Sequence, residues 1–239
     1  MFKNLFSRGD GRAKKLAKFE KKITNMYIQP GDRQYFLHQL RAMDGEDAAT
    51  SLLRRFTCSC ENTTVDRDEK EMTCRLLVEM GQTAVPPLKA YLRNNDKAVN
   101  WPFRALKDLL SREALCTFLV EVLEAIGPEY VRDPERKEQL ILTARDFDDP
   151  CIAKSVLPYL DDDNETIRFV AAETVSHHAL EEGIAALVER FGVETSQRII
   201  NHIADAFASH GWVLDDVSVV EPHLPSGYSV TRQRTIRKG

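Results

Sequence analysis

The first place where this chain could do chemistry is Cys58-Ser59-Cys60, with Cys74 further along. Paired thiolates hold soft metals, but a structural zinc site needs four converging ligands, usually with two to four residues between paired cysteines. Here one residue intervenes and no histidine follows closely, so the spacing predicts a loop cysteine, a core cysteine and no metal. Cys116 and Cys151 sit inside apolar helical patterns and read as core. His177-His178 and His202 are the second cluster; neighbouring histidines on a helix point in different directions, and no HExxH spacing accompanies them. A helix C-terminus, where protonated imidazole is favoured by the backbone dipole, is reason enough for the pair. Asp161-Asp162-Asp163 lacks the glycine and alternating ligands of a calcium loop and reads as an exposed helix start. The sequence also carries no GxSxG, GxxxxGK[ST] or GxGxxG motif. No catalytic set and no cofactor are expected, and an enzyme reading has no residue to stand on.

The elements that must position these side chains are helices. Ile167, Val170, Ala171 and Val175 recur at three and four residues, as do Leu115, Phe118, Leu119, Val122, Leu123 and Ile126, and later Ile199, Ile200, Ile203, Ala204 and Phe207. Breaks fall at Asp44-Gly45, Gly81, Gly127-Pro128, Asp149-Pro150, Gly192 and Gly211. Eleven glycines and ten prolines in 239 residues are too few for the turns of an all-β chain, and no apolar run is long enough to span a membrane.

Two kinds of helix alternate. Thr83 to Leu92, followed by Asn94-Asn95-Asp96, is echoed by Pro150 to Leu160, followed by Asp161-Asp162-Asp163. The Tyr-Leu pairs at 91–92 and 159–160 are spaced as two units of about 34 residues. The second kind is clearest in Asn164 to Ala172 and degenerate in Lys97 to Phe103. First helices are expected to begin near 46, 83, 111, 149 and 179, with insertions at Thr57 to Val65 and Gly127 to Asp133. Because one helix pair cannot bury its apolar stripe alone, such units must stack.

Glu79 to Leu88, Asp149-Pro150-Cys151-Ile152, and Asp163 to Arg168 followed by Ala171-Ala172 together resemble the HEAT-repeat family, in its short bacterial, phycobilisome-lyase-like form. The likeness is close over two of about six helix pairs and loose over residues 11–210. Asn100, standing where the pattern has Arg168, and His177-His178, in place of small turn residues, depart from it. The resemblance implies an all-α, right-handed α-solenoid of about six stacked antiparallel helix pairs. It implies little about function, because family members range from scaffolds to a few enzymes.

The expected organisation is a flexible basic N-terminus at 1–10, the HEAT-like solenoid at 11–211, and a C-terminal cap with a basic tail at 212–239, in which Gly227 to Ile236 forms either a short hairpin or an irregular, extended tail. The helix from Arg12 to Tyr27, with Leu16, Phe19, Ile23 and Met26 on one side, suits an N-terminal cap, interrupted upstream by the turn-like Arg8-Gly9-Asp10-Gly11-Arg12. Trp212 is expected to cover the last helix pair, and Arg232-Gln233-Arg234 with Arg237-Lys238 to form a flexible tail.

Charge is divided. Residues 1–22 hold eight basic and two acidic side chains, residues 231–239 four basic and none acidic, so the net −4 leaves −14 on the body between them. Such a body repels a phosphate backbone and makes nucleic acid an unfavourable partner. The basic ends are suited to an acidic partner or a peripheral membrane contact, with Lys14, Lys15 and Lys18 as the contact candidates, against the plainer reading of a solvated cap face. The absence of an apolar leader and the odd count of five cysteines predict a cytoplasmic chain.

Two aromatics stand off the buried stripes. Aligning Ile167 with Val99 places Phe169 and Trp101 at one repeat position, on second helices, which in the family line the concave face. Groove aromatics are binding anchors, although Trp101, just before Pro102, could equally staple its helix start. Arg168 resembles the family arginine that pairs with acidic turns and ties neighbouring units together. The resulting expectation is a non-enzymatic protein–protein scaffold or adaptor holding a protein partner. The alternatives are a bilin lyase or isomerase accessory and a HEAT-like DNA-binding or alkylation-repair protein.

Overall fold

The structure, a computed structural model, describes the backbone from Lys3 to Gly239 and the side chains from residue 11 onward. The chain is all-α apart from one small hairpin, and divides into two units, residues 1–115 and 116–239.

Among the described residues of the first unit, α1 (Lys3–Ile23), α2 (Pro30–Met43), α3 (Glu46–Leu53), α4 (Thr63–Glu79), α5 (Val85–Asn94) and α6 (Asn100–Leu109) follow one another. α1, α3 and α5 pack side by side as one layer, and α2, α4 and α6 as the other. The helix ends follow from local chemistry. Pro30 opens α2, Asn62 accepts from the amides of Thr64 and Val65 to cap α4, and prolines occupy the first turn of α5. Leu16, Phe19 and Ile23 of α1 are buried against the layer behind, as the periodicity predicts. The turn expected at Arg8 to Arg12 is absent: α1 runs through Gly9 and Gly11. Of the expected flexible stretch 1–10, Met1 and Phe2 lie outside the described residues.

Arg12 fastens α1 to the turn before α3, donating to the Met43 carbonyl at 2.9 Å, to the Asp44 carbonyl and to Asp47 at 2.6 and 2.7 Å. Gly45 permits this approach. Its φ is 90°, and a Cβ there would lie 2.9 Å from the Arg12 guanidinium.

The division between units falls within α7 (Arg112–Ile126). The second unit continues with α8 (Glu135–Ala144), α9 (Pro150–Val156), α10 (Glu165–His178), α11 (Glu181–Val193) and α12 (Gln197–His210). Here α8, α10 and α12 make one layer, while α9, its 3-10 extension Leu157–Asp161 and α11 make the other. Asp149 caps α9 and Asn164 caps α10 through their side chains. β1 (Tyr228–Val230) pairs antiparallel with β2 (Ile236–Lys238) and the hairpin packs on α12. Trp212 covers α12, edge-on to Phe207 at 5.1 Å and stacked on His210 at 4.5 Å. The C-terminal basic segment is ordered rather than a flexible tail. Arg234 donates to the Asp215 carbonyl, and Lys238 meets Asp205 at 2.7 Å.

Candidate functional site

In the second unit α10 and α12 lie side by side and present Phe169 between them. The Arg198 guanidinium carbon sits 3.5 Å from the centre of the Phe169 ring, and His202 meets the same ring edge-on at 5.5 Å. Phe169 is half-buried and Arg198 exposed, so the stack reaches the surface already assembled. Burial pushes the His202 imidazole below its ordinary pKa, against the pull of Glu173, the Ala172 carbonyl and Asp205. Its Nε2 is buried and has no hydrogen-bond partner among the described residues. At the neighbouring edge, Tyr228 Oη donates to Asp205 at 2.5 Å, and Asp205 also holds Lys238. This face thus combines an aromatic ring, a cation stacked on it and a half-buried imidazole.

Trp101, in the first unit, is placed differently. It lies in the first turn of α6, half-buried, with its ring parallel to Phe56 at 6.4 Å, and Phe56 is in turn edge-on to Tyr91. The Trp101 carbonyl accepts from the Cys74 thiol at 3.4 Å. Trp101 therefore braces an aromatic row inside the first unit. Lys14, Lys15 and Lys18 are all exposed on α1.

Arg168 does what the resemblance implies. Its guanidinium donates to the Asp162 and Asp163 carbonyls at 2.9 and 3.1 Å, and to both oxygens of Glu194 at 2.9 and 3.1 Å. Glu194, buried in the turn before α12, also accepts from Arg190 and from the Thr195 and Ser196 amides. Burial alone would raise its pKa, but these hydrogen bonds outweigh it and hold the carboxyl down at about 2. The same device occurs one helix pair earlier, where the buried Lys137 ammonium meets Asp162 at 2.5 Å. Asp162 is thus 2% exposed, not the solvated helix start that the acidic run predicts.

A second ionic network, which the sequence does not announce, fills the first unit. Glu69, fully buried, accepts from Arg33 and Arg55, and Arg55 also reaches Asp66 at 2.7 Å, where Lys70 joins. Cys60 touches both guanidiniums, at 3.5 Å from Arg33 and 3.4 Å from Arg55. Burial nevertheless raises the Cys60 thiol above its ordinary pKa, and burial pushes Cys74 up to about 12. Cys74 and Cys116 are core residues as expected, but Cys151 is exposed, because the first turn of α9 turns that side to solvent. Cys151 borders a largely apolar cavity of about 670 Å³, formed with Leu123, Ile126, Pro158 and Tyr159. Tyr159, one of its lining residues, donates to the Leu123 carbonyl at 2.5 Å. His177 and His178 occupy the last turn of α10, and His178 contacts the Ala144 carbonyl; burial pushes the His178 imidazole below its ordinary pKa, against the helix-end expectation of a favoured protonated ring. Among the described residues no three His, Cys, Asp or Glu side chains converge as a metal site, and no helix is long and apolar enough to cross a membrane.

No family model matches the chain, and no curated protein matches it. Among solved structures, human deoxyhypusine hydroxylase in complex with glycerol is similar at 10% identity, covering 83% of this chain and 96% of that one, with a TM-score of 0.32. A likeness that distant says nothing of this chain's chemistry.

Proposed function

We propose that the chain is a HEAT-like helical-repeat scaffold that holds a protein partner on the α10–α12 face of its second unit. The observation that carries this reading is the Phe169–Arg198 stack, a rigid aromatic ring and a planar cation assembled at a surface. Such pairs supply contact area at small entropic cost and are the residue types that dominate binding hot spots. The two-layer alternation of helices and the repeated basic-to-acidic links at Lys137–Asp162 and Arg168–Glu194 support the repeat reading. Trp101, which braces Phe56 and Tyr91, takes a structural part, and Phe169 takes the anchoring one. The acidic body favours a neutral or basic partner surface.

The test is affinity capture from source-cell lysate with the whole chain as bait, beside a Phe169→Ala/Arg198→Ala bait of verified helicity. One stoichiometric protein retained by the first and lost by the second is the expected result. Equal recovery on both baits removes this face from the mechanism. Co-purified pigment or nucleic acid, with no protein, would favour the accessory-lyase or DNA-binding alternatives.

A further inference from the structure

α1 carries five lysines, Lys14, Lys15, Lys18, Lys21 and Lys22, between residues 11 and 23. At 3.6 residues per turn they fall within about 120° of the helix circumference and extend along about 12 Å of its axis. The buried residues Leu16, Phe19 and Ile23 occupy the adjoining side, where the Lys15 ammonium lies 5.5 Å from the Phe19 ring, and the single acid between residues 11 and 23, Glu20, lies 3.7 Å from Arg54. Lys14, Lys15, Lys18 and Lys21 are exposed and Lys22 is half-buried. Lys14–Lys18 and Lys18–Lys22 are like-charge pairs at four-residue spacing, an arrangement that weakens a helix. A merely solvated cap face would be better served by alternating signs. Between residues 11 and 23 five lysines stand against one acid, an excess that suits a flat anionic partner.

Aromatic rings cluster at the C-terminal end of the stripe. Lys22 Nζ lies 6.0 Å from the Phe36 ring, Tyr35 stands edge-on to Phe36 at 5.2 Å and is 57% exposed, and Tyr27, four residues beyond α1, is fully exposed. Tyrosine beside lysine suits the boundary of a bilayer, where the ring enters the headgroup layer and the ammonium stays among lipid phosphates. Residues 23–239 carry a net −10, so an anionic partner that enfolds the chain is repelled, whereas a planar anionic surface can meet the stripe alone.

We propose that this lysine face of α1, with Tyr27 and Tyr35 at its end, docks the protein reversibly on an anionic lipid surface. The contact is peripheral and electrostatic, and is therefore released by salt. It is independent of the α10–α12 reading, since none of its residues belongs to that face.

The test is co-sedimentation of the full chain with vesicles of phosphatidylcholine alone and of phosphatidylcholine mixed with phosphatidylglycerol. Binding to the mixed vesicles only, abolished by high salt, is expected. Lys14→Gln/Lys18→Gln/Lys21→Gln removes exposed charges without touching the packed face and should weaken binding roughly a hundredfold, with helicity unchanged by circular dichroism. Tyr27→Ser should weaken it severalfold. Absence of binding to the anionic vesicles at low salt would overturn the proposal, as would equal binding by the triple variant or to neutral vesicles. Tighter binding to a homopolymeric RNA than to the vesicles would replace the lipid surface with nucleic acid.

Discussion

Arg168 and Glu194, 26 residues apart, share two hydrogen bonds that join the start of α10 to the turn before α12. Lys137 and Asp162, 25 residues apart, make the equivalent link from α8 to the turn before α10. A basic residue on each of α8 and α10 thus clamps the acidic turn leading to the next helix of the layer, through charges removed from water. Such pairs are costly to break one side at a time.

The carboxyl of Glu194 is held at about 2, against an ordinary value of 4.5. Its stabilisation is complete above pH 4.5 and is lost as pH falls through 2, worth at most about 3 kcal/mol. Acid unfolding of the wild-type chain, followed by circular dichroism, should lose stability over that window. Glu194→Gln should be weaker at neutral pH and show a flatter acid slope.

Lys137→Met leaves Asp162 buried without its cation and should cost about 3–5 kcal/mol in urea unfolding. Lys137→Met/Asp162→Leu, which removes both charges, should recover much of that loss. A double variant no better than the single one would deny the coupling.

In the first unit, Glu69→Gln takes from the buried Arg33 the carboxylate it meets and leaves the buried Arg55 with Asp66 alone, and should cost about 3–5 kcal/mol. Lys70→Met removes one of the two cations on Asp66, which keeps Arg55, and should cost less. Equal penalties would contradict the hierarchy of burial.

Thiol reactivity should rank with exposure and acidity. Cys151, open to solvent, should alkylate first; Cys60, half-buried with a raised pKa, more slowly; and Cys74, at about 12, last. Time-resolved labelling read by mass spectrometry gives the order, and fast modification of Cys60 would mean that its two arginines outweigh its burial.

Much of the helical layout was legible because it depends on period and on breakers. First helices expected near 46, 83, 111, 149 and 179 begin with the helices or 3-10 turns found at Glu46, Gly81, Arg112, Pro150 and Glu181, and the hairpin follows Gly227. Arg168 was legible because its acidic turn is adjacent in sequence. The Arg33–Glu69–Arg55 network was not, since its partners lie on separate elements and buried arginine looks like surface arginine in a string of letters. Cys151 misled for a related reason. Its neighbours Ile152, Ala153 and Val156 are buried, yet the first turn of a short helix exposes one side, and periodicity over seven residues does not say which. The Phe169 candidate was legible as an aromatic off the apolar stripe. Its partners Arg198 and His202, a whole helix later, became visible only once α10 and α12 lay side by side.

The most direct test of the scaffold account is hydrogen–deuterium exchange of the full chain with and without the captured partner. The account predicts added protection on α10 and α12 around Phe169, Arg198 and His202, lost together with binding in Phe169→Ala. Protection confined to other helices, with α10 and α12 unchanged, would contradict it.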